Sequence, residues 1–165
     1  MKIHPATESN IIEALFIIKS SYDNDILVEN FWRPPIPNYN ELKEEMENNH
    51  FYLITQQRIS VGTFSFTRNQ PESFTKINWS EDNNKTLFIK RIAIAPNWVN
   101  DELISSLKEF IDNYAKENNY SSIKFSSLST KENTHEFYKK LGFTQREPIN
   151  PDLFESPLSF YEKLL

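Results

Sequence analysis

The chain has 165 residues, a formal charge of −5, no cysteine and three histidines, His4, His50 and His135, far apart in sequence. Residues 1–165 suit a single domain with a sizeable core, and the missing thiols exclude disulfides, thiolate metal sites and a cysteine nucleophile. The scattered histidines argue against a metal centre, and the acidic balance without a long basic cluster argues against nucleic-acid binding. The lack of a leader or a membrane-length apolar run points to a cytoplasmic protein with no membrane contact.

In chain order, residues 1–3 read as a short strand, and Thr7 or Ser9 is placed to cap the helix that follows. That helix has the apolar set Ile11, Ile12, Leu15, Phe16 and Ile18. Residues 23–38 are irregular around Phe31-Trp32-Arg33, because Pro34, Pro35 and Pro37 forbid a regular helix. A second, acidic helix over residues 40–48 has Leu42 and Met46 as its only apolar anchors. Residues 51–55 and 59–66 read as strands joined by a turn at Gln56-Gln57-Arg58, a hairpin. Residues 69–84 are polar apart from Phe74, Ile77 and Trp79; longer than most hairpin loops, they read as a lid or as disordered.

The organising stretch is 86–114. Leu87, Ile89, Ile92 and Ile94 form a strand that Pro96 ends, since proline donates no ladder hydrogen bond. Asp101 is placed to cap a helix whose apolar face is Leu103, Leu107, Phe110, Ile111 and Tyr114. A strand feeding a helix through a short turn aims several free N–H groups at one spot, which suits an anion such as a phosphate. A strand over 121–126 follows, then a helix over 132–141 ending at Gly142 as a C′ glycine. A strand from Phe143, a proline-rich link over 147–157 and a last strand over 158–164 complete the chain.

Several strings resemble the GNAT N-acetyltransferase family. Phe137-Tyr138-Lys139-Lys140-Leu141-Gly142-Phe143 resembles its F-Y-x-K-x-G-F element, Ile94-Ala95-Pro96 resembles the end of its central strand, and the opening MKIHPATESN is similar to its usual first strand and cap. The resemblance covers nearly the whole chain in the order β-α-α-β-β-β-α-β-α-β-β. It implies an α/β (α+β) fold with a mixed, mostly antiparallel central sheet and helices on both faces. The turn departs from the family pattern: Val99 stands where Arg or Gln is usual, Asn100 and Glu102 where glycines are common, and Ile104 at a Gly/Ala place. The Asn that usually precedes the Phe by six residues falls on Lys131.

The resemblance implies acetyl-CoA as co-substrate. The turn amides from Val99 and Asn100 to Ile104, with Ser105, would face its pyrophosphate, and the backbone of Ile92 and Ile94 would hold the pantetheine arm and polarise the carbonyl. Tyr138 would act as the acid on the leaving thiolate, and no metal is implied. Of Lys90 and Arg91, strand alternation puts one on the cofactor side. The family's strand carboxylate is replaced by Phe88. Glu29, His50 and Glu72 could serve as the base by chemistry alone but read as solvated surface residues, and His135 reads as a surface residue. Phe31, Trp32, Trp79 and Trp98 would wall a pocket for a cationic amine if they converge. Two readings follow: acetyl transfer to a primary amine of a small molecule or peptide, or a non-catalytic GNAT-like binding or regulatory module. The family's habit of homodimerising through its last strands leaves that state open for 158–165.

Overall fold

The computed structural model describes residues 1–23, 36–48, 50–81, 85–127, 132–150 and 158–165. Its elements run β1 (Lys2–Pro5), α1 (Ile11–Asp23), α2 (Tyr39–Asn48), β2 (His50–Gln56), β3 (Ile59–Thr67), β4 (Thr86–Ile94), α3 (Asp101–Glu117), β5 (Ser122–Ser127), α4 (Glu132–Lys140), β6 (Thr144–Arg146) and β7 (Ser159–Leu164). The expected order and fold class hold, with boundary shifts of one or two residues. The strands make one seven-stranded sheet, β1-β2-β3-β4-β5-β7-β6. Only β4 and β5 run parallel.

Alternation along the strands sends two sets of side chains to opposite faces. On one face, Tyr52, Ile54, Phe64, Phe66, Leu87, Ile89, Ile92, Ile94, Ile123, Phe125 and Tyr161 join Leu103, Leu107 and Ile111 of α3 and Phe137 and Tyr138 of α4 in the main core. On the other, Phe51, Leu53 and Ala93 pack under Ile11, Ala14, Ile17 and Ile18 of α1 and Leu42 of α2. The buried stripe of α1 therefore differs from the expected one: Ile12 is 67% and Phe16 73% exposed. Ile11, Ala14 and Ile18 share the inward stripe at spacings of three and four, with Ser21 buried one turn on, and this leaves Ile12 and Phe16 on the outer side.

Caps and turns set the ends. Asn38 opens α2 reciprocally: its Oδ1 accepts the Glu41 N–H (3.0 Å), and its own N–H donates to the Glu41 carboxylate (2.7 Å). The β2–β3 turn puts both Gln57 (φ 51°) and Arg58 (φ 66°) in the left-handed region that a tight hairpin needs, without glycine. α4 closes in a Schellman arrangement, with Phe143 N–H on Tyr138 O (3.0 Å) and Gly142 N–H on Lys139 O (2.9 Å). β7 lies between β5 and β6, so both of its ladder edges are used within the chain.

Residues 69–81 form neither a loose lid nor a disordered loop. A short 3-10 turn at Glu72–Lys76 seats Phe74 against Phe88 of β4 and Phe160 of β7, at ring separations of 5.6 and 5.9 Å. Backbone bonds strap the segment to the link after β6, with Asn78 N–H on Glu147 O (3.1 Å) and Ile149 N–H on Lys76 O (2.8 Å). Phe74, Ile77, Phe88 and Phe160 make a third, smaller core there.

Candidate functional site

The site begins where two strands part. β4 and β5 pair at only three positions, Thr86 with Ser122, Leu87 with Ile123 and Phe88 with Lys124. Beyond them β4 stays paired with β3 as far as Ile94, while β5 stays paired with β7 as far as Ser127. A wedge opens between Ile89–Ile94 on one side and Phe125–Ser127 on the other. The Ala95 N–H donates to Val61 O (2.8 Å), toward β3. Backbone groups alternate along an antiparallel strand, so those of Ile94 and, two residues back, Ile92 point into the wedge. Their side chains are buried under α3, so each residue packs with one part and offers the other.

A bulge shapes the mouth. Between Thr63 and Ser65 of β3, β4 carries one extra residue. Arg91 takes φ 56° there. The Thr63 hydroxyl donates to Arg91 O (2.9 Å), and Ser65 reaches Lys90 O at 3.4 Å. Arg91 itself grips Glu45 of α2 through Nε (3.1 and 3.2 Å) and a terminal nitrogen (2.7 Å). The bulge cancels the alternation between Lys90 and Arg91, so the two leave the α3 face together instead of being divided between faces as simple alternation predicts. The signal was in the sequence: the apolar spacing runs 87, 89, 92, 94, with one step of three.

At the wedge's open end, Pro96–Trp98 forms a 3-10 turn and α3 starts at Asp101. Its cap is Asn100, whose side chain accepts the Leu103 N–H at 2.9 Å, so Asp101 sits one residue inside the helix rather than capping it. The N–H groups of Asp101 and Glu102 have no place in the helical ladder. Asp101 is ion-paired with Lys140 at the end of α4 (3.0 Å). Ala95, Val99 and Asn100 have φ of −61°, −72° and −147°, so the turn needs no glycine for its backbone. Val99, Asn100 and Ser105 lie at the surface and Ile104 is buried.

α4 lays Tyr138 on β5, the other wall of the wedge. Its ring is wholly buried against Phe125 (4.5 Å) and Tyr161 (4.7 Å). His135, one turn earlier, is half-buried and hydrogen-bonded to the Tyr161 hydroxyl, not a free surface residue. Burial pushes the Tyr161 phenol up to about 12. Phe88 is sealed under Phe74. His50 lies at the start of β2 and Glu72 on the strapped segment, and the wedge's pairing pattern includes neither. Trp79 packs against the core beneath the strapped segment and Trp98 against the α3 core on the opposite face, so the two do not converge. Glu29, Phe31, Trp32 and Lys131 lie outside the described residues.

Sequence reading missed a buried ionic cluster beside the wedge's apex. Glu162 of β7 is opposite Lys124 of β5, which is in turn opposite Phe88. The Glu162 carboxylate accepts the Ser80 N–H (2.8 Å) and Arg146 Nε (2.8 Å), with Lys124 3.8 Å away. Trp79 covers the Lys124 ammonium at 4.8 Å from its ring centre. This carboxylate is fully engaged in holding the 69–81 segment to the sheet.

Solved structures share this architecture. The chain matches the ribosomal-protein-alanine N-acetyltransferase from Brucella melitensis with a TM-score of 0.69, 15% identity and 100% of both chains covered. It matches a GNAT-family acetyltransferase from Streptococcus agalactiae with a TM-score of 0.73, 15% identity, and 99% and 95% of the two chains covered. It also matches the PaiA N-acetyltransferase from Thermoplasma acidophilum, solved with coenzyme A, with a TM-score of 0.70, 12% identity, and 99% and 98% covered. No protein-family model and no curated protein matches the sequence. The chain has the GNAT acetyltransferase fold.

Proposed function

We propose that the protein is an N-acetyltransferase that moves the acetyl group of acetyl-CoA directly to a primary amine of a small molecule or peptide. The parting of β4 from β5, with the backbone edge of Ile92 and Ile94, unpaired on that side among the described residues, running toward the first amides of α3, carries this reading. The residues fit the cofactor. An extended amide-bearing arm pairs with a free strand edge, and a pyrophosphate suits unpaired N–H groups at a helix N-terminus. Coenzyme A supplies a thiolate leaving group.

The chain's own groups would do the rest. Backbone donors at Ile92 and Ile94 stabilise the oxyanion that forms as the amine attacks the thioester carbon, a large contribution because the donors are already in place. The Tyr138 phenol donates its proton to the departing sulfur, and the proton that the attacking amine gives up restores the phenol, so the products are the amide and the free thiol. Asn100 sets the start of α3, and Lys140 offsets the Asp101 charge beside the phosphate position.

Calorimetric titration with acetyl-CoA and coenzyme A tests the binding: saturation is expected, and no heat at millimolar ligand overturns the reading. Replacing Tyr138 by Phe is expected to lower kcat by about 100-fold while leaving coenzyme A affinity unchanged. An unchanged rate and pH profile would remove the acid role. A second reading, a module that binds coenzyme A without turnover, draws on two observations: Phe88 is sealed under Phe74, and Tyr138 is wholly buried. Binding without acetyl transfer across an amine panel would select it.

A further inference from the structure

A second cleft lies at the far end of α3. Asn48, His50, Phe66, Thr67, Arg68, Asn69, Leu87, Tyr114 and Tyr120 line a void of about 200 Å³ that is open to solvent on one side. Tyr114 is thirteen residues along α3 from Asp101, about 20 Å at the helical rise, so the void is separate from the wedge.

Its chemistry is one-sided. The chain holds 23 acidic residues, yet none lines the void among the described residues. Arg68 is aimed by Tyr120, whose hydroxyl accepts its Nε–H at 2.7 Å, and among the described residues no carboxylate pairs with it. Tyr114 is wedged by its ring against Phe66 (4.3 Å) and against His50 (5.8 Å). Burial first, then the neighbouring Tyr52 and Tyr120, push its phenol up to about 12, so at neutral pH it is a donor. Asn69 adds an amide donor, while the Asn48 amide is bonded to Glu44 O (2.9 Å), and Phe66 and Leu87 give an apolar floor.

We infer that this cleft binds a compact anion, a carboxylate on a single planar ring. Arg68 and Tyr114 take the carboxylate, and Phe66 and Leu87 take the ring. Drug-sized ligands occupy about 300–1,000 Å³, so a void near 200 Å³ admits one ring and no more. A guanidinium and a phenol donor lining one cleft, with no acid among its described lining residues, favour an anion over a neutral ring of the same shape. This inference does not depend on acetyl transfer.

Titration of isotope-labelled protein with benzoate, followed by amide resonances, tests it. Saturable shifts are expected at His50, Arg68, Asn69 and Tyr120, with benzyl alcohol, equal in size but uncharged, at least about tenfold weaker. Arg68→Gln, at an exposed position, is expected to keep the spectrum and lose benzoate about tenfold, and Tyr120→Phe to lose less. Equal binding of benzyl alcohol, undiminished benzoate binding by Arg68→Gln, shifts centred on the start of α3, or no shifts at millimolar benzoate would each overturn the inference. Coenzyme A titrated into the same samples reports on the wedge separately.

Discussion

Gly62 and Gly142 each sit where a methyl group has little room. A Cβ at Gly142 would meet the Lys163 side chain at 3.1 Å, and the backbone there has φ 92°. Gly142→Ala is expected to cost on the order of 1–3 kcal/mol, read from the urea midpoint. At Gly62 the added carbon would meet Ile94 at 2.7 Å and Ile54 at 2.9 Å, pressing on the strand that lines the wedge. Glu162 is the residue on which most else hangs, with Arg146, Lys124 and the Ser80 amide converging on it. Glu162→Gln is expected to cost about 3 kcal/mol, read from the urea midpoint, because it leaves the buried Lys124 ammonium, and the partly exposed Arg146, without their counterion. Gly142 was legible as a helix stop because its place after an apolar helical pattern has one reading. Glu162 was not, since its partners lie on β5, β6 and the 69–81 segment, and local alternation says nothing of partners so distant in sequence.

Among elements, α3 shows how narrowly local signals decide. Asn100 and Asp101 are both good caps, and only the phase of the helix, with Leu103 as its third residue, selects Asn100. Asn100→Ala is therefore expected to cost about 1 kcal/mol, while Asp101→Ala, losing one exposed ion pair, should cost far less. Thermal unfolding of the two variants separates the cases. β4 was legible as a strand from its β-branched run, and the three-residue step from Ile89 to Ile92 was the one trace of the bulge that redirects Lys90 and Arg91. The 69–81 segment misled because polar residues dominate it, although Phe74, Ile77 and Trp79 anchor it to β4 and β7. The wedge itself has no local signature: it arises because β3 and β7 hold their neighbours further along than β4 and β5 hold each other.

For the whole molecule, stability is bounded on both sides of neutrality. Burial works against the Asp112 carboxylate, but Lys108 (2.8 Å) and Lys163 outweigh it and hold it below the ordinary aspartate range. A folded value below the unfolded one gives stability that is present above about pH 4 and lost as pH falls through the folded value. Asp112→Asn should flatten the acid limb of a urea-midpoint profile. Tyr161 acts at the other end: its phenol is held up to about 12, while the unfolded chain ionises near pH 10, so stability should fall as pH rises through that interval. Absorbance titration is expected to show both phenols, Tyr114 and Tyr161, ionising only near pH 12, each assigned by the signal lost in its Phe variant, and ionisation of either near pH 10 would contradict the packing described. The position of β7 also bears on how the chain is made. Among the described residues β6 pairs with nothing but β7, and β5 has only its three pairs with β4 until β7 arrives. A nascent chain that has reached Arg146 therefore carries an open β5 edge and an unpaired β6. Sheet closure awaits β7, and until it is made the growing polypeptide exposes the kind of edge on which other chains aggregate.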